Sequence, residues 1–132
     1  MFSHVSVGIT DFGRAFAFYA PLMERLGLRL RFADASVPWA GWQPLEGGRP
    51  LFLILHPENG LPAAPGNGAM TAFLARDRVS VREAHALALS LGGENAGEPG
   101  LRPHYHAHYY GAYLRDPDGN KLCIVCHEPG DA

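Results

Sequence analysis

The sequence predicts an α+β fold in which one βαβββ unit occurs twice. Each half of the chain shows the pattern of one strand, one helix and three further strands. The same landmarks also recur at one offset, since Asp11 and Asp77 precede the two helices and Gly27 and Gly93 follow them. Repetition at a fixed offset indicates copies of one supersecondary unit. Because neither copy can bury its sheet face alone, we expect two four-stranded sheets that curve round a shared cleft.

Composition limits the class of protein. Of the 132 residues, 47% are hydrophobic and 18% are charged, which is typical of a folded domain rather than a disordered chain. A formal net charge of −2 gives no basic surface for nucleic acid. No apolar run is long enough to cross a membrane and no basic leader begins the chain, so we expect a cytoplasmic protein. The two cysteines form no disulfide framework. We therefore expect a single domain over residues 1–132.

Module one is expected over about residues 1–57. Alternation around Val5, Val7 and Ile9 indicates its first strand. Thr10 or Asp11 is a suitable N-cap for a helix whose apolar residues recur at three- and four-residue spacing. The expected elements are a strand at 2–9, a helix ending at 26, and strands at 28–33, 37–43 and 51–56.

Module two is expected over about residues 68–128, after a Pro/Gly-rich linker at 57–68 that shows no periodicity. Its last two strands are separated by Asp116-Pro117-Asp118-Gly119, a sequence suited to a tight turn. The expected elements are a strand at 69–75, a helix at 79–91, an extended segment at 94–101, and strands at 109–115 and 121–126.

Four stretches of the chain follow a known family pattern. They are Ser3-His4-Val5-Ser6-Val7 leading to Asp11 and Phe18-Tyr19, then Gly68-Ala69-Met70-Thr71-Ala72-Phe73, then Gly92-Gly93, and then Tyr113-Leu114-Arg115-Asp116-Pro117-Asp118-Gly119-Asn120-Lys121-Leu122. In these stretches the sequence resembles the glyoxalase/bleomycin resistance protein/dioxygenase group, the vicinal oxygen chelate superfamily. The resemblance covers essentially the whole chain. It implies paired βαβββ modules, a cleft in a curved sheet, a small-molecule ligand and a homodimer.

The resemblance also implies a divalent metal that binds two oxygens of the substrate. Its ligands in the family lie on the first and last strand of each module, positions that correspond here to His4, Ile54, Met70 and Cys123. His4 matches the family, whereas isoleucine cannot ligate and a thioether prefers soft metals. We therefore expect an incomplete ligand set, with a divalent metal possible only through His4 and unfamiliar partners.

The run His104-Tyr105-His106-Ala107-His108 is a second group of side chains that can bind a metal or an organic ligand. Alternate spacing would place its three imidazoles on one side of an extended strand, where they suit zinc, nickel or copper. Pro103 and the neighbouring tyrosines favour a loop instead. In a loop, His104, Tyr105, His106 and Tyr109 would line a pocket for an organic ligand, with Arg102 offering a fork to a carboxylate or phosphate. The alternative is a loop of solvated histidines.

Aromatic residues on the strands of module one, Trp39, Trp42 and Phe52, are candidates for one wall of the cleft. Plain core packing is the alternative. Cys123 is expected to face the cleft, as a soft ligand, a nucleophile or an inert thiol. The Cys123-to-His127 segment matches a haem-attachment pattern, but residues three apart on a strand point to opposite faces, so we expect no haem.

Three functions fit these observations. The first is a binding protein that holds a small oxygenated or aromatic molecule in the cleft. The second is a glyoxalase-like lyase or dioxygenase that uses either a non-standard metal site or acid–base chemistry by His4 and Tyr113. The third is an interaction module without chemistry. Because a fold does not determine function, the arrangement of the site must decide between them.

Overall fold

The computed structural model describes residues 1–130 and contains two equivalent sets of elements. The first set is β1 (His4–Gly8), α1 (Phe12–Arg25), β2 (Leu28–Asp34), β3 (Trp39–Pro44) and β4 (Leu51–Leu55). The second is β5 (Thr71–Leu74), α2 (Arg78–Ser90), β6 (Glu94–Leu101), β7 (Tyr110–Arg115) and β8 (Lys121–Cys126). The predicted α+β fold with two βαβββ units is confirmed. Neither helix is long and apolar enough to span a membrane.

Both modules have the same strand order. The sheets run β1-β4-β3-β2 and β5-β8-β7-β6. In each sheet the first strand of the module pairs in parallel with the last, and the other neighbours are antiparallel. β1 and β5 are therefore edge strands at corresponding positions.

The recurring aspartates are helix N-caps. The Asp11 carboxylate accepts a hydrogen bond from the Arg14 amide at 3.0 Å, and the Asp77 carboxylate accepts one from the Ser80 amide at 2.8 Å. Such caps satisfy amides that the first helical turn leaves without partners. The Thr10 hydroxyl, the other candidate cap, accepts from the Ala63 amide of the linker at 2.9 Å.

Gly93 is required by its surroundings rather than by its backbone angles. Its amide donates to the Ala88 carbonyl at 2.9 Å. A Cβ atom at this position would lie 2.8 Å from that carbonyl oxygen and 3.2 Å from Cε2 of Phe18 on α1. The obstacle is helix backbone, which cannot turn away as a side chain can.

We expect Gly93→Ala to lower the free energy of unfolding by about 1–3 kcal/mol, because the added methyl collides with the Ala88 carbonyl of α2 and with the Phe18 ring of α1. Urea denaturation measures the change. Gly13→Ala on the exposed face of α1 is the matched control, and it should leave stability equal or higher because alanine favours helix. Equal stability of Gly93→Ala and the wild-type chain would contradict this account of the contact.

Each sheet has a helix side and an open face. On the helix side of the first sheet, Trp42 and Phe52 are only 2% and 3% exposed, and they pack with Tyr19 of α1 in the apolar core. The expectation that these two side chains line a cleft wall therefore requires correction. β3 and β4 pair Trp42 with Phe52, and this register turns both into the core.

The turn at residues 116–120, here called the clasp turn, joins the two modules. Asp116 accepts a hydrogen bond from the Tyr19 hydroxyl at 2.5 Å, and the Asn120 side chain donates to the Gly8 carbonyl at 2.8 Å. The Asp118 carboxylate accepts from the Thr10 amide at 3.0 Å. The turn between the last two strands thus forms hydrogen bonds with residues at and just after the end of β1 and in α1.

Candidate functional site

Two phenols and a thiol meet on the open face of the second sheet. The hydroxyls of Tyr109 and Tyr113 are 2.9 Å apart, and the Tyr109 hydroxyl lies 3.5 Å from Sγ of Cys123. Tyr113 and Cys123 are directly opposite each other on β7 and β8, so their side chains share one face. These three residues are called the tyrosine cluster below.

Glycines make room for the two rings. A Cβ atom at Gly97 would lie 2.9 Å from the Tyr113 ring, and one at Gly111 would lie 2.8 Å from the Tyr109 ring. A side chain at either glycine would therefore displace the ring beside it.

Two cations flank the Tyr113 ring. Cζ of Arg102 lies 5.5 Å from the ring centroid and Nζ of Lys121 lies 5.4 Å from it, both within cation–π range. Arg102 is held by donating to the carbonyls of Gly100 at 2.9 Å and Glu98 at 2.8 Å. Within residues 1–130 neither cation forms an ion pair. The surroundings of the tyrosine cluster are therefore positively charged and rich in hydrogen-bond donors.

The groups of the tyrosine cluster stay protonated at neutral pH. Burial raises the pKa of Tyr109 far above its usual range, and it also raises the pKa of Tyr113, although the hydrogen bond from Tyr109 partly opposes this. Burial likewise raises the pKa of the Cys123 thiol. Phenols in this state donate hydrogen bonds and are poor bases. Their protonation therefore favours recognition of a hydrogen-bond acceptor over proton abstraction by Tyr113.

We expect Cys123 to resist alkylation at pH 7, because the thiolate is the nucleophile and burial disfavours it. The rate of labelling by iodoacetamide, followed by mass spectrometry, should rise only above the ordinary thiol pKa of about 8.5. The same chain in guanidinium provides the control for full reactivity. Rapid labelling of Cys123 in the folded protein at pH 7 would contradict the raised pKa.

The histidine-rich segment at 102–109 is a loop, which the Arg102 amide closes by donating to the Tyr109 carbonyl at 2.8 Å. Its imidazoles make different contacts. His106 pairs with His127, with Nε2 and Nδ1 2.8 Å apart, while the His104 ring lies against Tyr105 at 4.2 Å. Tyr105 in turn contacts Tyr109, at 4.7 Å between ring centroids.

The other predicted site residues lie apart from the tyrosine cluster. His4 is exposed on the first sheet beside Leu51, with its Nδ1 3.0 Å from the Ser3 hydroxyl. Trp39 is on the open face of that sheet, 4.7 Å from the Phe32 ring. Met70 precedes β5, is 47% exposed and lines a cavity of about 380 Å³ between β1 and β5 that Lys121 also reaches.

The four positions that correspond to family metal ligands do not carry a matching set of ligand groups, and their side chains do not all lie on one face of the sheets. Ile54 is fully buried on the helix side, and Cys123 is a buried thiol. Among residues 1–130, no three side chains of the His, Cys, Asp or Glu types lie close enough to hold a metal ion.

Sequence reasoning missed Lys121, Gly97 and His127. A signal for Lys121 was present, because it precedes Cys123 by two residues on one strand and must share its face. The contacts of Gly97 and His127 depend on how strand β6 and the loop at 102–109 fold back, which no local pattern shows.

The chain was compared with known proteins. The family model described as the glyoxalase/bleomycin resistance protein/dioxygenase superfamily matches residues 1–124. A glyoxalase/bleomycin resistance protein from Albidiferax ferrireducens T118 is 38% identical, with 96% of this chain and 98% of that chain covered and a TM-score of 0.84. A glyoxalase-related enzyme from Fulvimarina pelagi is 20% identical, with 96% and 87% covered and a TM-score of 0.71. Lactoylglutathione lyase from Agrobacterium tumefaciens is 20% identical, with 96% and 92% covered and a TM-score of 0.64. No curated protein matches the chain.

Proposed function

The chain belongs to the glyoxalase/bleomycin resistance protein/dioxygenase superfamily, and from this premise we propose that it binds a small aromatic molecule bearing an oxyanion. The binding surface is the open face of the second sheet, around the tyrosine cluster. One observation carries the proposal: two cations that form no ion pair within residues 1–130 lie 5.4 and 5.5 Å from the Tyr113 ring centroid.

The chemistry of the cluster matches such a ligand. Lys121 and Arg102 attract a carboxylate or phenolate oxygen, and the linked hydroxyls of Tyr109 and Tyr113 supply a donor to the same atom. The phenol faces offer area for stacking a flat ring. A ligand with only one of these features would use only part of the surface.

Calorimetric titration with benzoate and with benzyl alcohol tests the proposal, since the two probes share a ring and differ in the anion. We expect benzoate to bind more tightly, with an affinity that falls as salt is added because charge attraction is screened. Equal affinity for the two probes, or no binding of either, would count against the oxyanion site.

The alternative function is a glyoxalase-like lyase or dioxygenase, and it rests on His4, the one family ligand type that the chain retains. A buried isoleucine, an exposed thioether and a protonated thiol do not fit a hard divalent ion as partners of that imidazole. We therefore derive no metal-dependent step. Metal-free acid–base work would have to proceed through the exposed His4 imidazole.

We expect His4→Ala to change the free energy of unfolding by no more than about 0.5 kcal/mol, because the side chain is exposed and bonds only its neighbour Ser3. If a metal-dependent activity exists, the substitution should remove both the metal and the activity. Elemental analysis of protein without a histidine tag, before and after dialysis against a weak chelator, measures the first. His108→Ala is the control for loss of an exposed histidine, and full metal content with full activity in His4→Ala would exclude this role.

We also propose that the protein forms a homodimer, in line with its family. β1 and β5 are edge strands with one neighbour each, and unpaired strand edges favour association with another chain. Light scattering coupled to size-exclusion chromatography measures the mass, and a monomer at micromolar concentration would contradict the proposal.

A further inference from the structure

A second cavity lies at the start of α2, on the helix side of the second sheet. It has a volume of about 220 Å³, and its lining includes Arg76, Arg78, Arg82 and Cys126. Cys126 belongs to the core on this side, whereas Cys123 faces the tyrosines on the other. The cavity is therefore separate from the tyrosine cluster and has no part in the proposed function.

Arg78 is the residue that indicates a ligand. It is only 8% exposed, and within the described part of the chain its Nε is buried without a hydrogen-bond partner. Its Cζ lies 5.2 Å from the Tyr110 ring centroid, and among residues 1–130 no carboxylate forms an ion pair with it. Because burying a cation without hydrogen bonds or a counterion is costly, an anion in the cavity would stabilise this side chain.

Arg82 adds a second guanidinium to the same ring. Its Cζ is 5.9 Å from the Tyr110 centroid, and its Nη1 donates to the Tyr110 hydroxyl at 3.2 Å. Two guanidinium groups against one ring repel each other, and a bound anion would attract both and so offset that repulsion. The 13-residue helix α2 also directs its positive end toward the cavity.

Within residues 1–130, the carboxylates near the cavity do not neutralise Arg78 or Arg82. Asp77 is already engaged, with Oδ1 accepting from the Ser80 amide and Oδ2 lying 3.6 Å from Arg76. Glu128 lines the cavity, but within residues 1–130 it pairs with no arginine. In the described part of the chain, net positive charge therefore remains around Arg78.

We propose that this cavity binds a single phosphate group. Guanidinium forks match phosphate oxygens in geometry. A volume of about 220 Å³ is below the range of about 300–1,000 Å³ typical of pockets for drug-sized ligands, which suits one tetrahedral group rather than a nucleotide.

Thermal unfolding of the full chain in increasing sodium phosphate, at constant ionic strength set with chloride, tests the proposal. A ligand that binds only the folded state raises the melting temperature by mass action, so we expect a rise that grows with the logarithm of the phosphate concentration once that concentration exceeds the dissociation constant. Arg82→Gln should weaken the apparent affinity about tenfold through loss of one charge-assisted hydrogen bond. Arg29→Gln on the first sheet is the matched control and should leave the affinity unchanged. Glycerol 3-phosphate in place of phosphate tells an ester-bearing ligand from the free ion, and a logarithmic rise with either probe supports the site.

Three results would overturn the proposal. No rise in the wild-type chain excludes the site, and a rise of equal size in Arg82→Gln is a general salt effect on the protein surface. Asp131 follows Gly130 in the sequence and lies outside the described residues. If phosphate stabilises Asp131→Asn but not the wild-type chain, a carboxylate of the chain already occupies the cavity and no free anion binds there. The half-buried Arg82 provides the decisive variant, because Arg78→Met removes a buried side chain and so alters packing as well as charge.

Discussion

Asp116→Asn is expected to lower the free energy of unfolding by about 3 kcal/mol. One carboxylate oxygen of Asp116 accepts hydrogen bonds from the Tyr19 hydroxyl and the Asn120 side chain, and the other accepts from the amides of Asp118 and Asn120. An asparagine has one oxygen, so its amino group must face two of these donors. A buried donor left without a partner costs about 1–3 kcal/mol. Chemical denaturation by urea measures the change.

Glu46→Gln, which removes one negative charge from an exposed turn, is the control and should change stability by no more than about 0.5 kcal/mol. Tyr19→Phe removes one donor from the same carboxylate. The cost of Tyr19→Phe should be smaller in the Asp116→Asn background, since the partner is already altered. Strictly additive costs would contradict the direct hydrogen bond.

The pH dependence of stability gives a second signature of Asp116. Burial raises the pKa of this carboxyl above its ordinary value, although hydrogen bonds from Tyr19 and Asn120 partly oppose the rise. The folded state therefore holds the proton more tightly than the unfolded chain. The contribution of this group to the free energy of unfolding is greatest below about pH 3.9 and is lost as pH rises through the folded pKa. The Asp116→Asn profile should lack that decline.

Lys121→Met is expected to weaken benzoate binding about tenfold or more while leaving the fold intact. Hydrogen bonds to a charged group contribute about 1.5–3 kcal/mol, and 1.4 kcal/mol corresponds to a factor of ten in affinity. Methionine retains the apolar stem beside the Tyr113 ring and removes only the ammonium group. Calorimetric titration at low salt provides the comparison with the wild-type chain.

Arg29→Met supplies the control, because it removes a cation from an exposed strand of the other sheet. Affinity for benzyl alcohol should be the same in Lys121→Met and in the wild-type protein, since that probe carries no charge. A Lys121→Met chain that binds benzoate as tightly as the wild-type chain would place the oxyanion elsewhere.

The local sequence pattern was sufficient to predict the secondary-structure elements and the internal repeat. The caps Asp11 and Asp77 and the glycines that follow each helix are short-range signals, and the equal strand order of the two sheets follows from their recurrence. The local sequence pattern did not predict on which face of the sheet each aromatic side chain lies. Trp39 and Trp42 are three residues apart on one strand, so only one of them can face a cleft. Which one does so depends on the register with β4, a tertiary property.

The candidate site was predictable only in part. Arg102, Tyr109, Tyr113 and Cys123 were identified from the C-terminal segment, and the structure brings these four together. His4 and Met70 were identified from the family pattern, and they lie elsewhere. The contact of His106 with His127 joins residues 21 apart through a loop and a strand end, and periodicity carries no information about such a closure.

The clasp turn also affects folding during synthesis, because the beginning of the chain cannot make all its contacts until residues 116–120 have been added. Its hydrogen bonds join residues that are 97, 108 and 112 positions apart in sequence. Contacts of such separation slow folding, because a long loop must close before they form. A chain grows on the ribosome at about 5–20 residues per second. Several seconds therefore pass between the synthesis of the amino-terminal strand and the synthesis of the clasp turn. Nascent chains stalled before the clasp turn should therefore be cleaved faster by proteases around Gly8 and Thr10, which the clasp turn binds, than chains from which that turn has emerged.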